Sequence, residues 1–178
     1  MSKLEQFLAK YDVIATEFVS WGEVQLREES YLLDELPPDE FISSVRCIVR
    51  REEKILVIQG KTEKYIVPGG RREAGESIMD TMERELLEEV GWAVRNTKLL
   101  GIIRFQHLTP KPPNHPYPYP NFLWLIFEGE TAEYRPEAME EDEYVLGSEF
   151  RPLSDPLPLN PNQMVFLETI RERYSGLG

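Results

Sequence analysis

Between Gly70 and Trp92 the chain reads GRREAGESIMDTMERELLEEVGW, and this stretch leaves little freedom of local structure. A glycine-rich loop runs into a helix whose two ends are both marked. Ser77 followed three residues later by Asp80 is a capping-box-like start, and Gly91 is a natural left-handed stop, so a helix is predicted over residues 78–90. At about 100° per residue, Ile78, Met82, Leu86 and Val90 form one apolar stripe, with Met79 inside it. Glu85, Glu88 and Glu89 fall at i, i+3 and i+4, on a face bordering that stripe. Carboxylates about 6 Å apart at an effective dielectric near 20 repel by roughly 2 to 3 kcal/mol per pair. Hard divalent cations take oxygen ligands, and Mg²⁺ commonly combines a few carboxylates with water and substrate phosphate oxygens, so a metal converts this repulsion into binding. Arg84, four residues before Glu88, is spaced to hold that carboxylate from behind. A solvated acidic face is the competing reading of an isolated Glu-Glu pair.

The spacing of the whole stretch separates the two readings. It fits G-x5-E-x7-R-E-U-x-E-E-x-G-U, with U a bulky apolar residue, and places Gly70, Glu76, Arg84, Glu85, Glu88, Glu89 and Gly91 at the fixed positions. At average residue usage a chance match is on the order of 10⁻⁸ per start position. The pattern resembles the Nudix box, and the chain is similar to Nudix hydrolases from about residue 41 to residue 175. One departure is Trp92, at a position that is usually aliphatic and packs against the core.

The resemblance implies the α/β class, as a Nudix-type α/β/α sandwich around a mixed β-sheet. It implies an enzyme that hydrolyses a nucleoside diphosphate linked to another moiety X, water attacking a phosphorus of the pyrophosphate and releasing a nucleoside monophosphate. Glu85, Glu88, Glu89 and the Gly70 carbonyl are then the metal ligands for Mg²⁺ or Mn²⁺, with Glu76, Arg84 and Gly91 bracing the loop and helix. The general base in such enzymes is a box glutamate or an acid on the loop before the closing strand. Glu89 and Glu143 are the two candidates here, so the catalytic set is Glu88, Glu89, Glu143 and Arg84. Arg71 and Arg72 are candidate phosphate contacts.

Residues 1–40 lie outside the resemblance and form an amino-terminal extension to a Nudix domain spanning residues 41–178. A short helix is expected at residues 3–10 and strands at 13–19 and 23–33, around Trp21-Gly22. Such an extension serves as a homodimer contact or as a private cap over the core edge. A hairpin follows, with strands at residues 44–50 and 54–59, a turn at Arg51-Glu52-Glu53, and Ile48, Ile55 and Val57 buried. Residues 65–70 read as a short strand breaking into the loop, where the glycines let backbone pass close to a metal. Residues 94–108 read as a long bent strand and 121–130 as its antiparallel partner.

Between these two strands stand Pro110, Pro112, Pro113, Pro116, Pro118 and Pro120 with Tyr117 and Tyr119 interleaved. So many prolines exclude helix and central strand and favour a stiff loop. This loop is either a rigid connection or an aromatic wall against which a base or sugar stacks, with Tyr117 and Tyr119 as substrate-binding residues. Residues 149–153 resemble the closing strand. A final helix starts at Asn160, with Asn160 as N-cap, Pro161 in the first turn, Gln163 as capping-box partner, and Phe166, Leu167, Ile170 and Tyr174 facing the body.

With 178 residues and 41% hydrophobic content, the chain suits one domain with a real core. Net charge −12 argues against nucleic acid or an anionic membrane as partner, since neither is steered to such a surface. A small phosphorylated substrate remains compatible, its charge met locally by metal, Arg and Lys. The first residues lack a basic-then-apolar signal, so a cytoplasmic location is expected. Cys47 in an apolar run reads as a buried hydrophobe. His107 and His115 show no metal-ligand spacing, and no nucleophile triad can be built from the sequence. Gln106 stands about 15 residues past the box, where many ADP-ribose enzymes carry proline. A nucleoside triphosphate or a nucleotide sugar is therefore the expected substrate. A nucleotide-binding regulatory module on the same fold is the alternative, and the intact acids argue against it.

Overall fold

The computed structural model describes residues 1–61, 65–141 and 145–175. In chain order it contains α1 (Lys3–Leu8), β1 (Ala15–Trp21), β2 (Val24–Leu32), β3 (Ile42–Arg51), β4 (Lys54–Gly60), β5 (Tyr65–Ile66), β6 (Gly69–Arg71), α2 (Ile78–Val90), β7 (Trp92–His107), β8 (Asn121–Tyr134), β9 (Val145–Pro152) and α3 (Pro161–Ser175). The strands make one mixed sheet in the order β1-β2-β7-β8-β3-β4-β5, with β6 added to β3 and β9 to β4. The β3–β8 pair is parallel, and the other pairs are antiparallel.

Two cores follow from the alternation of the central strands. Val45, Cys47 and Val49 of β3 and Leu123, Leu125 and Phe127 of β8 join Met82, Leu86 and Val90 of α2 and Leu4, Phe7 and Leu8 of α1 on one face. Ile48 of β3 and Phe122 and Ile126 of β8 meet Phe166, Leu167 and Ile170 of α3 on the other. Successive residues of a strand point to opposite faces, so a strand covered by helices on both sides is apolar almost throughout. The middle of β3, residues 45–49 apart from Arg46, and the first half of β8, Phe122 to Phe127, have that character. The α/β/α sandwich expected from the sequence is the observed architecture.

The β3–β4 hairpin opens immediately. Only Arg50↔Ile55 and Arg51↔Lys54 are paired, after which β3 turns to β6 and β8 while β4 turns to β5 and β9. The expected single strand at residues 65–70 is correspondingly two pieces. β5 pairs with β4, the chain crosses at Val67-Pro68, and β6 pairs with β3. Pro68 cannot donate to a ladder, but its carbonyl accepts from Cys47 N at 2.9 Å.

The amino-terminal hairpin β1–β2 continues the same sheet, since β2 pairs with β7 from Leu26↔His107 to Leu32↔Gly101. Two side-chain expectations are corrected. Met79 is 46% exposed, because the buried stripe of α2 narrows to Met82, Leu86 and Val90 beside Thr81. Gln163 does not close a capping box: Asn160 Oδ1 caps the backbone of Asn162 at 3.0 Å, while the Gln163 side chain is buried, its Oε1 without a hydrogen-bond partner. No helix among the described residues is long and apolar enough to cross a membrane.

Candidate active site

The loop from β6 into α2 is held by side chains of its own. Ser77 Oγ accepts from Asp80 N at 3.1 Å and the Asp80 carboxylate accepts from Ser77 N at 3.3 Å, which closes the capping box. At the other end Gly91 takes φ +69°, the left-handed conformation that stops the helix.

Glu76 is the knot of the loop. It accepts from Arg84 Nε at 2.6 Å, Arg84 Nη2 at 3.0 Å, Thr81 Oγ1 at 2.9 Å and Glu73 N at 3.0 Å. These donors, Arg84 first, hold its carboxyl near pKa 2. Arg84 Nη2 also donates to the Arg71 carbonyl at 3.0 Å, so one guanidinium ties the loop to the helix. Its remaining nitrogen, Nη1, reaches Glu85 Oε1 at 2.9 Å and Glu88 Oε2 at 3.1 Å. A single cationic group thereby spans two of the three box acids on α2.

Glu85 lies against Gly70 so closely that a Cβ built on Gly70 would stand 2.2–2.6 Å from its carboxyl atoms. Burial raises the Glu85 pKa, against the opposing pull of Arg84, and Glu88 raises it further. Glu89 accepts from Gly69 N at 2.7 Å. Gly69 has φ +132°, and its own Cβ would collide with Val45 O at 2.2 Å and Arg46 Cα at 2.6 Å. Both glycines are thus fixed by what lies over them: strand β3 for the first, the Glu85 carboxylate for the second. Among the described residues no three acidic, His or Cys side chains already converge as a metal cluster. The donor chemistry nonetheless fits a hard cation, with oxygens only, one acid desolvated, and positive charge supplied to two of them by Arg84.

A cleft of about 500 Å³ has Glu89 on one wall and Glu140 and Glu141 on another, and the Glu140 N–H donates to the Glu88 carbonyl at 2.8 Å. The acidic run therefore adjoins the end of α2. Glu143 itself lies outside the described residues. Arg71 is exposed, whereas Arg72 is committed to Asp39 at 2.7 Å and to the Glu76 carbonyl at 2.9 Å. Trp92 packs on Tyr134 and Phe150 with centroids 4.8 and 5.7 Å away, as its place at the core edge requires.

Of the aromatic loop, Tyr117 stacks on Phe122 at 4.7 Å and stands edge-on to Trp21 at 6.4 Å. Tyr119 packs instead on His107 at 5.1 Å. His107 and His115 meet at 3.0 Å between their Nε2 atoms, a pairing that sequence spacing did not announce. Arg46 was also missed. It lies over Trp124 at 4.3 Å, and its Nη1 donates to the Val67 carbonyl at 2.9 Å, just before the loop. A charged residue within the apolar run of β3 was the available signal. A larger cavity of about 570 Å³, lined by residues that include Glu53, Lys54, Arg171 and Tyr174, shares no residue with this site.

The model of the NUDIX domain matches residues 40–169. The chain belongs to the NUDIX family. A NUDIX relative described as the uncharacterized Nudix hydrolase YvcI of Bacillus subtilis strain 168 is 35% identical over 60 residues, a match that spans 33% of this chain and 38% of that protein. The NUDIX fold is shared with the pyrophosphohydrolase BsRppH of Bacillus subtilis, at 19% identity and TM-score 0.59, over 84% of this chain and 92% of that one. It is shared also with a NUDIX hydrolase from Nitrosomonas europaea, at 20% identity and TM-score 0.56, over 75% of this chain and 90% of that one.

Proposed function

We propose that the protein is a metal-dependent pyrophosphohydrolase that cleaves a nucleoside diphosphate linked to another moiety, releasing a nucleoside monophosphate. The observation that carries this reading is the row of Glu85, Glu88 and Glu89 in the second half of α2, beside the glycine loop, with Arg84 bridging the first two and Glu85 pressed on Gly70. A NUDIX chain built only as a scaffold gains nothing from like charges on one helix face at a core edge. In this reading Glu85, Glu88, Glu89 and the Gly70 carbonyl hold Mg²⁺ or Mn²⁺. When bound, such an ion neutralises the diphosphate and makes the attacking water more acidic.

The remaining roles belong to the chain's own groups. Arg84 orients Glu85 and Glu88, and the Gly69 N–H orients Glu89. The proton of the attacking water passes to a carboxylate, Glu89 or Glu143. Nucleoside triphosphates and nucleotide sugars are the proposed substrates. A panel of these with Mg²⁺, Mn²⁺ or chelator tests the reading, with nucleoside monophosphate as the product measured. Metal-dependent release from at least one member is expected. An untouched panel at micromolar enzyme, with nucleotide still bound, would make the protein a regulatory nucleotide-binding module instead.

A further inference from the structure

The loop between β7 and β8 is rooted by backbone and fastened along its length at one point. At its roots Leu108 N donates to the Gln25 carbonyl at 2.9 Å, Gln25 N donates to Thr109 Oγ1 at 3.3 Å, and His107 N donates to the Pro120 carbonyl at 2.9 Å. From Pro110 to Pro118 the prolines at 110, 112, 113, 116 and 118 offer no N–H. Among the described residues, the one hydrogen bond joining that stretch to the rest of the fold runs between His115 and His107, Nε2 to Nε2 at 3.0 Å, with the rings at 89° to each other. What it holds down is aromatic. Tyr117 stacks on Phe122 at 4.7 Å and stands edge-on to Trp21 at 6.4 Å, and Phe122, fully buried, stacks in turn on Phe105 at 4.8 Å.

We propose that the His107–His115 pair is a pH-operated fastening, which holds the proline-rich loop over Phe122 and Trp21 at neutral pH and releases it on acidification. Two neutral imidazoles meet at this distance with one Nε2 carrying the hydrogen and the other the lone pair. One added proton is tolerated, because the N–H of an imidazolium still faces its partner's lone pair. A second proton sets two N–H groups and two like charges face to face, and the contact is lost. Burial opposes the charging of both rings and holds both below the ordinary histidine value of 6.5, His107 further lowered by His115 and His115 by Lys111. The fastening is therefore complete above pH 6.5 and weakens as pH falls below it. The surroundings supply no countercharge. Tyr119 flanks His107 at 5.1 Å and Tyr117 flanks His115 at 5.4 Å on the loop, and β8 presents Phe122. On β2 Leu26 stands opposite His107, while Glu28, opposite Phe105 on the same face, is bonded to Asn162 Nδ2 at 2.9 Å, and Glu23 lies in the β1–β2 turn. His107 Nδ1 is buried without a partner, so a proton placed there finds no acceptor.

His107 and His115 are the only histidines of the chain, so both imidazoles are followed without overlap by NMR of the full-length protein carrying isotope-labelled histidine and aromatic residues, in chelator and without substrate. The two rings should titrate as a coupled pair, both below pH 6.5. Overhauser contacts of Tyr117 with Phe122 and of His115 with Tyr119 should be present at about pH 7.5 and lost at about pH 5, while the contact of Trp92 with Tyr134 persists at both. His115→Gln, a change in a half-buried loop residue that is expected to fold, keeps a polar side chain that cannot charge, and the Tyr117–Phe122 contact should then be the same at both pH values. Independent titration of the two rings at 6.5 or above, wild-type loop contacts that survive at about pH 5, or an undiminished pH dependence of the Tyr117–Phe122 contact in His115→Gln overturns the proposal. So does loss of the Trp92–Tyr134 contact together with the loop contacts, which would make the transition an unfolding of the domain.

Discussion

Gly69 and Gly70 are neighbours that refuse a side chain for different reasons. Gly69 abuts backbone of β3 and has a positive φ, so alanine there must move a strand. Gly70 abuts only the carboxyl end of Glu85, a flexible group that can swing away. Gly70→Ala should therefore fold with a loss of about 1 kcal/mol or less, yet displace Glu85 and lower turnover by about a hundredfold, because a misplaced ligand costs far more in rate than in stability. Thermal unfolding and kcat of the variant check this together. Wild-type turnover would show that Glu85 need not stand where it does. At this scale the sequence was most legible where residues act locally: Ser77, Asp80 and Gly91 do what their types and spacing dictate. It was least legible where a side chain's partner is distant in the chain. The Arg84 bond to Glu76 lies within the box pattern, but Arg46 on Trp124, His107 on His115 and the inward Gln163 are products of tertiary placement.

Among the elements, α2 was recoverable to the residue because both ends are capped by chemistry, whereas the β3–β4 hairpin was recoverable only as two strands. Its divergence after two pairs depends on β6, β8 and β9 competing for the strand edges, and no local pattern encodes that competition. The amino-terminal segment, read as a possible cap or dimer contact, supplies α1 to one core and β2 to the edge of β7. Leu4, Phe7, Leu8, Tyr31 and Leu33 are all buried, and burying each large apolar side chain stabilises by about 1.5–3 kcal/mol. Removing residues 1–38 should thus cost about 7.5–15 kcal/mol, comparable to the roughly 5–15 kcal/mol that a typical domain has in hand, leaving an insoluble or unfolded product. Solubility and a far-ultraviolet circular dichroism melt are the measurements. A soluble, cooperatively melting truncation would show that the hairpin is a detachable addition.

For the molecule as a whole, a chain of net charge −12 proposed to bind phosphates must concentrate positive charge at one place. Arg46, Arg71 and Arg84 flank the glycine loop, and Arg84 already compensates the acids from within. On the proposed reading Glu88 and Glu89 act through a metal ion and do not merely hold the helix. The most direct test is a Mg²⁺ titration of turnover in the wild type, Glu88→Gln, Glu89→Gln and Glu143→Gln, beside the metal-free melting temperature of each. Removing one carboxylate charge from the α2 cluster relieves repulsion, so Glu88→Gln and Glu89→Gln should melt at or slightly above wild type while turnover falls by about a hundredfold or more and half-activation moves to higher Mg²⁺. Glu143→Gln should lower the maximal rate with little change in half-activation if it is the proton acceptor. Wild-type turnover together with a collapsed melting temperature in Glu88→Gln and Glu89→Gln would contradict the claim and make these acids structural.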